Sequence, residues 1–204
     1  MKPTRASPDD LTACLDFLNE IEKLKMIYRQ NMAIDGSRQE NSAEHSWHIA
    51  LMAIVLADTS NFENLDLLKV VKMLLIHDIV EIDTGDTFLY DVEANRSKEQ
   101  NELATARRIF GMLPKRLNGE FMALWQEFEG RQSPEAKFAA SLDSLQPLMN
   151  HLASKGAGII KHKIPTRRVI ESKKHIAEGS TALWEVGQNL IQRSEEAGLY
   201  LTEG

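Results

Sequence analysis

The segment HDIVEIDTGD, residues 77–86, puts one imidazole and four carboxylates into ten positions, directly after the apolar run VVKMLLI. On a helix His77 and Glu81, four apart, share a face, and Asp78 lies about 100° further round. An adjacent His-Asp pair at the end of an apolar helix is costly to bury unless its charge is cancelled. A divalent cation cancels it, and imidazole with carboxylate suits several first-row metals. Two residues do not complete such a site. Upstream, SAEHSWH offers His45 and His48, three apart on an otherwise apolar helix, so either can point inward. Downstream, AKFAASLDSLQPLM sets Asp143 among recurring apolar positions such as Leu142 and Leu145. An acid there needs a partner or a cation. Each of these residues taken singly is equally compatible with a cap, a surface position or a half-exposed histidine. Their weight comes from the combination.

Helices must hold these residues, and the chain reads as one helix after another. Ser7-Pro8-Asp9-Asp10 has the signature of a helix start, with LTACLDFLNEIEKLKMI following at helical spacing. Ser42 opens a second helix through HSWHIALMAIVLAD. A third is expected from Asn64 to about Ile82, broken by Asp83-Thr84-Gly85-Asp86. Ser97 is expected to cap NELATARRIFGML, Pro114 to open a helix ending near Gly130, and Ser133-Pro134-Glu135 to start another, which Pro147 should kink or end. A glycine-punctuated loop around KGAGII precedes a last long helix over about Thr166 to Ser194. Strand alternation, fixed-period repeats and linkers are not evident. The expectation is an all-α, single-domain helical bundle over residues 1–204, with the motifs in a core at about 20–150 and C-terminal helices over 151–204.

Composition narrows the function. The chain has 204 residues, 43% hydrophobic and 26% charged, enough to bury a core without disulfides. A net charge of −6 argues against a general nucleic-acid binder, though a metal can still attract a nucleotide. The single cysteine, Cys14, fits a reducing compartment. MKPTRASPDD has no apolar core and does not read as a signal peptide, and IALMAIVLA is too short to span a bilayer. A cytoplasmic protein with no membrane association is expected.

A histidine on one helix, His-Asp on the next and an aspartate on a much later helix resembles the HD-domain metal-dependent phosphohydrolases. The likeness is strongest to their 5′-nucleotidase and 5′-deoxynucleotidase branch. It is carried by ENSAEHS (40–46), HDIVEIDTGD, AKFAASLD and LKMIYR, in the family's order over about residues 20–150. The resemblance implies one divalent cation (Mn, Co, Fe, Ni, Zn or Mg) held by His45, His77, Asp78 and Asp143. It assigns the ligand position to His45 and leaves His48 a structural role. It implies Glu81 as the proton-handling residue, Asp86 as the acid that orients the attacking water, and Arg29 as the grip on the phosphate. Arg38 is a further candidate contact to phosphate or base. Asp83 has no implied role, and Glu44 reads as an acid at a helix start. The implied reaction converts a (deoxy)nucleoside 5′-monophosphate, a small-molecule substrate, to nucleoside and phosphate. Relatives in this branch often form homodimers. Two departures fall near the expected sugar pocket: Gln30 stands where the deoxynucleotidase members carry an aromatic residue, and the loop between Arg29 and His45 is longer. Two rival readings are another HD phosphohydrolase, acting on diesters or on nucleoside di- or triphosphates, and a silent metal- and nucleotide-binding helical protein.

Overall fold

The computed structural model describes residues 7–91 and 98–202. Helix α1 (Pro8–Ile21) begins as the sequence demands: the Ser7 side chain accepts from the Asp10 N–H, and Asp10 reciprocates toward the Ser7 backbone. It does not continue to Ile27. The chain tightens into a 3₁₀ turn over Glu22–Met26 and then forms an antiparallel hairpin of β1 (Tyr28–Met32) and β2 (Gln39–Asn41). The hairpin was not anticipated, because YRQNM and QEN are short, polar and lack an apolar alternation.

Helix α2 (Ser42–Leu56) follows directly, capped by Asn41 with Glu44 completing a capping box. Helix α3 (Leu67–Ile76) starts on the Asp66 cap. The continuous helix expected as far as Ile82 is replaced by α3, a 3₁₀ turn over His77–Val80 and the short α4 (Glu81–Thr84). Gly85, at φ +74°, ends α4 in a conformation that L side chains rarely adopt. Next come α5 (Lys98–Phe110), α6 (Lys115–Gly130) and α7 (Pro134–Ala153). The expected Ser97 cap of α5 lies outside the described residues. Helix α7 passes through Pro147 without ending.

The C-terminal part departs most from expectation. The single long helix is divided into α8 (Thr166–Lys173), α9 (Ile176–Gly179) and α10 (Thr181–Glu196). The break has a local cause: Ser180 is extended, its side chain caps α10 by accepting from the Leu183 N–H, and its hydroxyl donates to the Thr59 carbonyl at 2.6 Å. The start of α8 is pinned by the chain end, where the Thr166 N–H donates to the Leu201 carbonyl and the Leu201 N–H to that of Ile164.

The fold class is all-α, with the one hairpin as its exception. One apolar cluster joins α2, α3, α7, α9 and α10 through Ile49, Met73, Phe138, Leu142, Leu145 and Ile176. A second joins α1, α5 and α6 to the 77–80 turn through Phe17, Ile79, Val80, Ile109, Phe110 and Trp125. Truncating a fully buried leucine such as Leu142 to alanine would cost roughly 2–5 kcal/mol. That rigidity holds the polar side chains described next.

Candidate metal centre and active site

His45 in the first turn of α2, His77 just after α3, and Asp143 midway along α7 converge. One donor atom from each lies within 4.8 Å of the other two. His45 is fully buried and His77 nearly so. Each imidazole is oriented from behind. His77 Nδ1 donates to the Leu74 carbonyl at 2.9 Å, and His45 Nδ1 to Gln146 Oε1 at 3.1 Å. Gln146 Nε2 in turn donates to Glu40 Oε1 on the hairpin at 2.8 Å. Both Nε2 atoms therefore face Asp143 Oδ1, at 3.0 Å from His45 and 3.8 Å from His77. His77 Nε2 is buried and makes no hydrogen bond. It lies 2.9 Å from Asp78 Oδ1, out of line for donation. Two oriented imidazole lone pairs, an orphaned one among them, with carboxylates at the same point fit a divalent cation.

The 3₁₀ turn matters because it carries Asp78 and Glu81 to the same cavity. Arg29 from β1 donates to Asp78 Oδ2 at 2.9 Å and lies 3.9 Å from both Asp86 and Glu40. The nearby Gln30 N–H, like Arg29, favours the charged form of Asp86. Glu81 is buried, and the Ser42 hydroxyl donates to its Oε2 at 2.6 Å. Arg29, Gln30, Asp78, Glu81, Asp86 and Asp143 line one cavity. Pro147 lies on its wall and offers no N–H to the Asp143 carbonyl one turn back.

The surroundings drive the acids apart. Burial opposes ionisation of Asp78, but His77 and Arg29 outweigh it and lower the pKa to about 2. Burial likewise opposes ionisation of Asp143, yet its bond to His45 and the nearby His77 imidazole hold it well below the usual carboxylate range. Burial, reinforced by Asp78 and Asp86, pushes Glu81 well above that range. Asp86 is raised by burial and Asp78 against the pull of Arg29. Burial and Arg29 hold His45 down, whereas in His77 the carboxylates of Asp78 and Asp143 overcome burial and hold the pKa up. The site thus favours the charged forms of Asp78 and Asp143 and the neutral form of Glu81.

His45, His77, Asp143, Asp78, Glu81, Asp86 and Arg29, all singled out in the sequence, meet here. Others do not. His48 is half-buried and stands against Trp47. Arg38 is exposed and pairs bidentately with Glu44 at 2.8 Å, so Glu44 is both cap and ion-pair partner. Asp83 is not merely solvated: Arg108 holds it with two bonds of 2.6 Å. Sequence reasoning missed Ser42, Glu40 and Gln146. Gln146 was detectable, lying three residues after Asp143 on the same helical face. It also missed Arg131, Ser144, Lys173 and His175, which complete the cavity wall.

Comparison with known proteins supplies the family. Human 5′-deoxynucleotidase HDDC2 is 30% identical over 136 residues, 66% of this chain and 65% of that protein. The Bos taurus protein of the same name is 29% identical over 66% of this chain and 64% of its own length. The matches therefore span a little under two thirds of these relatives. A solved structure from Magnetospirillum magnetotacticum MS-1, described as a predicted metal-dependent phosphohydrolase, superposes with a TM-score of 0.88. It is 42% identical and covers 94% of this chain and 98% of its own. PH0347 from Pyrococcus horikoshii OT3, 22% identical with a TM-score of 0.61, shares the fold. The HD domain model matches residues 21–184, which spans every one of the converging side chains, and the chain belongs to the HD domain family.

Proposed function

We propose that this protein is a metal-dependent phosphohydrolase that converts deoxynucleoside 5′-monophosphates to nucleoside and phosphate. The observation that carries this reading is the convergence of His45, His77 and Asp143 at one point, with Asp143 lining a cavity together with Arg29 and a Glu81 whose neutral form is favoured by burial. The names of the human and bovine relatives support the substrate class.

His45, His77 and Asp143 would hold one divalent metal, with Asp78 beside His77 as the fourth ligand. When bound, the metal supplies charge that polarises a phosphoryl oxygen and acidifies a water. The remaining steps belong to the chain's own residues. Arg29, fixed by Asp78, presents a planar, permanently charged fork to the phosphate. Asp86, beside Arg29, orients the attacking water and takes up its proton. As the P–O5′ bond breaks, its electron pair stays on O5′. Glu81 donates the proton that O5′ needs, from the oxygen that Ser42 does not engage. Phosphoryl transfer depends on such positioning and charge more than on covalent help.

Exposed apolar side chains on α2 support a homodimer: Trp47 is 64% exposed, Ile54 56% and Val55 72%, with Leu68 of α3 at 66%. Val55→Glu is expected to shift the light-scattering mass to that of a monomer. Cys14 is a free thiol, which supports a cytoplasmic setting. Among the described residues no helix is long and apolar enough to cross a membrane.

The test is a screen of metal-stripped protein against ribo- and deoxynucleoside 5′-monophosphates, with Mn²⁺, Co²⁺, Mg²⁺ and Zn²⁺ added in turn. Phosphate release from the deoxy set is expected. Release only from diesters or triphosphates would replace the reading with another HD phosphohydrolase activity, and metal uptake without release from any nucleotide would leave a silent binder.

A further inference from the structure

The cavity has a cation that the reaction above does not use. Lys173 is the last residue of α8, only 8% exposed, and it lines the same cavity as Arg29 and Asp143. The other two buried or half-buried cations of this cavity have carboxylate partners. Arg29 is bonded to Asp78, and Lys98 lies 3.5 Å from Glu102. Among the described residues, Lys173 has no carboxylate within ion-pair distance and no side-chain hydrogen bond. A charged lysine this buried, with no protein anion beside it, is costly to maintain. Such a group persists where a ligand supplies the missing anion.

Its surroundings sharpen the point. Arg131, at the C-terminal end of α6, stands on the same wall, is exposed, and has no carboxylate partner among the described residues. Its backbone is left-handed at φ +48°, a conformation uncommon for a residue with a side chain. His175, two residues beyond Lys173, is held by Ser144 at 2.9 Å and is kept neutral by burial and by Arg131, with its pKa lowered to about 4. Burial, Arg29 and Arg131 all oppose the charge on Lys173, and Asp143 alone favours it, leaving its pKa lowered to about 8. Lys173 therefore remains largely charged at neutral pH. This wall is cationic, whereas the wall formed by residues 77–86 is anionic.

We propose that Lys173 binds the phosphate group of the substrate from the C-terminal wall of the cavity, with Arg131 at the rim completing an anion-binding face. This rests on the reading that the cavity takes a phosphate monoester. Arg29 is already committed to Asp78, so it orients the phosphate while Lys173 supplies uncommitted positive charge.

The test uses Mn²⁺-loaded protein and inorganic phosphate as the probe, with binding measured by calorimetry for native protein, Lys173→Met and Lys173→Arg. The methionine variant is expected to bind phosphate about tenfold more weakly or worse, and the arginine variant to recover most of the loss, as for a charge-assisted hydrogen bond. In phosphate-free buffer the methionine variant is expected to melt no lower than native protein, because it removes an unpartnered charge. In turnover with a deoxynucleoside 5′-monophosphate, its KM should rise more than its kcat falls. Native phosphate affinity and KM in Lys173→Met would overturn the proposal. So would a fall in melting temperature that Lys173→Arg does not restore, since that marks a structural lysine. If native protein hydrolyses no monophosphate yet Lys173→Met still loses phosphate binding, the nucleotidase reading fails and Lys173 stands. If native protein hydrolyses them and the variant matches it, Lys173 falls and the reaction stands.

Discussion

The cavity's two walls have different origins. The anionic wall is built largely from one ten-residue stretch, with Asp78, Glu81 and Asp86 supplied by a 3₁₀ turn, a one-turn helix and a glycine break. Its charges are paired, bonded or suppressed: Asp78 by Arg29, Asp143 by two imidazoles, Glu81 by burial that favours its neutral form. The cationic wall is assembled from single residues on separate elements, Arg131 after α6 and Lys173 ending α8, and it is left uncompensated. A wall satisfied by its own protein groups can stand as a preformed site. A wall left with excess charge waits for an anion.

Substitutions along the two walls should separate these roles. The largest effect is expected from Asp143→Asn, which removes the carboxylate shared by both imidazoles. Metal content and phosphate release should fall together, with activity down about 10³-fold or more. A variant retaining both would break the assignment of this wall. Glu81→Gln should lose about 10²-fold in kcat with full metal content, because only proton delivery is removed. Gln146→Leu takes away the acceptor that orients His45 and should weaken metal affinity by roughly 10–100-fold. Its activity should return on adding excess metal, unlike that of Glu81→Gln. On the cationic wall, the effect of Lys173→Met should be confined to about tenfold in KM and phosphate affinity.

The smallest expected effect concerns stability in acid. His151, at the edge of the cavity, donates from Nε2 to Asn31 Oδ1 at 2.9 Å and accepts from the Tyr200 hydroxyl at 2.7 Å. It is nearly buried, and burial with the nearby Lys173 lowers its pKa to about 3. No carboxylate among these neighbours favours its charge. The unfolded chain therefore takes up a proton near the ordinary imidazole value while the folded chain does not. Stability is fully present above about pH 6.5 and declines as pH falls toward about 3. Denaturant midpoints at pH 7 and pH 5 should show native protein losing roughly 2 kcal/mol more than His151→Gln over that interval. Equal losses would mean that folding leaves the His151 imidazole unshifted, so that it takes up its proton in the folded protein as it does in the unfolded chain.

Much of the site was legible before any coordinates. His77, Asp78, Glu81 and Asp86 fall within one segment, and polar residues at the end of an apolar helix are costly unless they serve a purpose. Asp143 stood out for the same reason, as an acid on an apolar face. Spacing alone did not separate His45 from His48, because both lie on the same short arc of α2. In the structure His45 is inward against Gln146 and Asp143, and His48 is half-buried against Trp47. Local capping chemistry also announced the starts of α1 and α7, where Ser-Pro pairs satisfy orphan N–H groups without help from the rest of the fold.

Tertiary structure decided the remainder. The hairpin that carries Arg29 and Glu40 has no apolar alternation and forms through pairing and through packing against neighbouring elements. A Cβ at Gly158 would lie 2.6 Å from the Gln30 carbonyl, so the glycine loop closes directly on that strand. The break between α9 and α10 depends on Ser180 reaching Thr59, a partner 121 residues away. Lys173 is an ordinary lysine in the sequence, and only burial without a partner makes it informative. By itself the sequence determined which chemistry the chain carries, because residue type and helical spacing are local properties. Which charges are left unpaired depends on what the completed fold brings beside each one, and for Arg131 and Lys173 only the tertiary structure decided that.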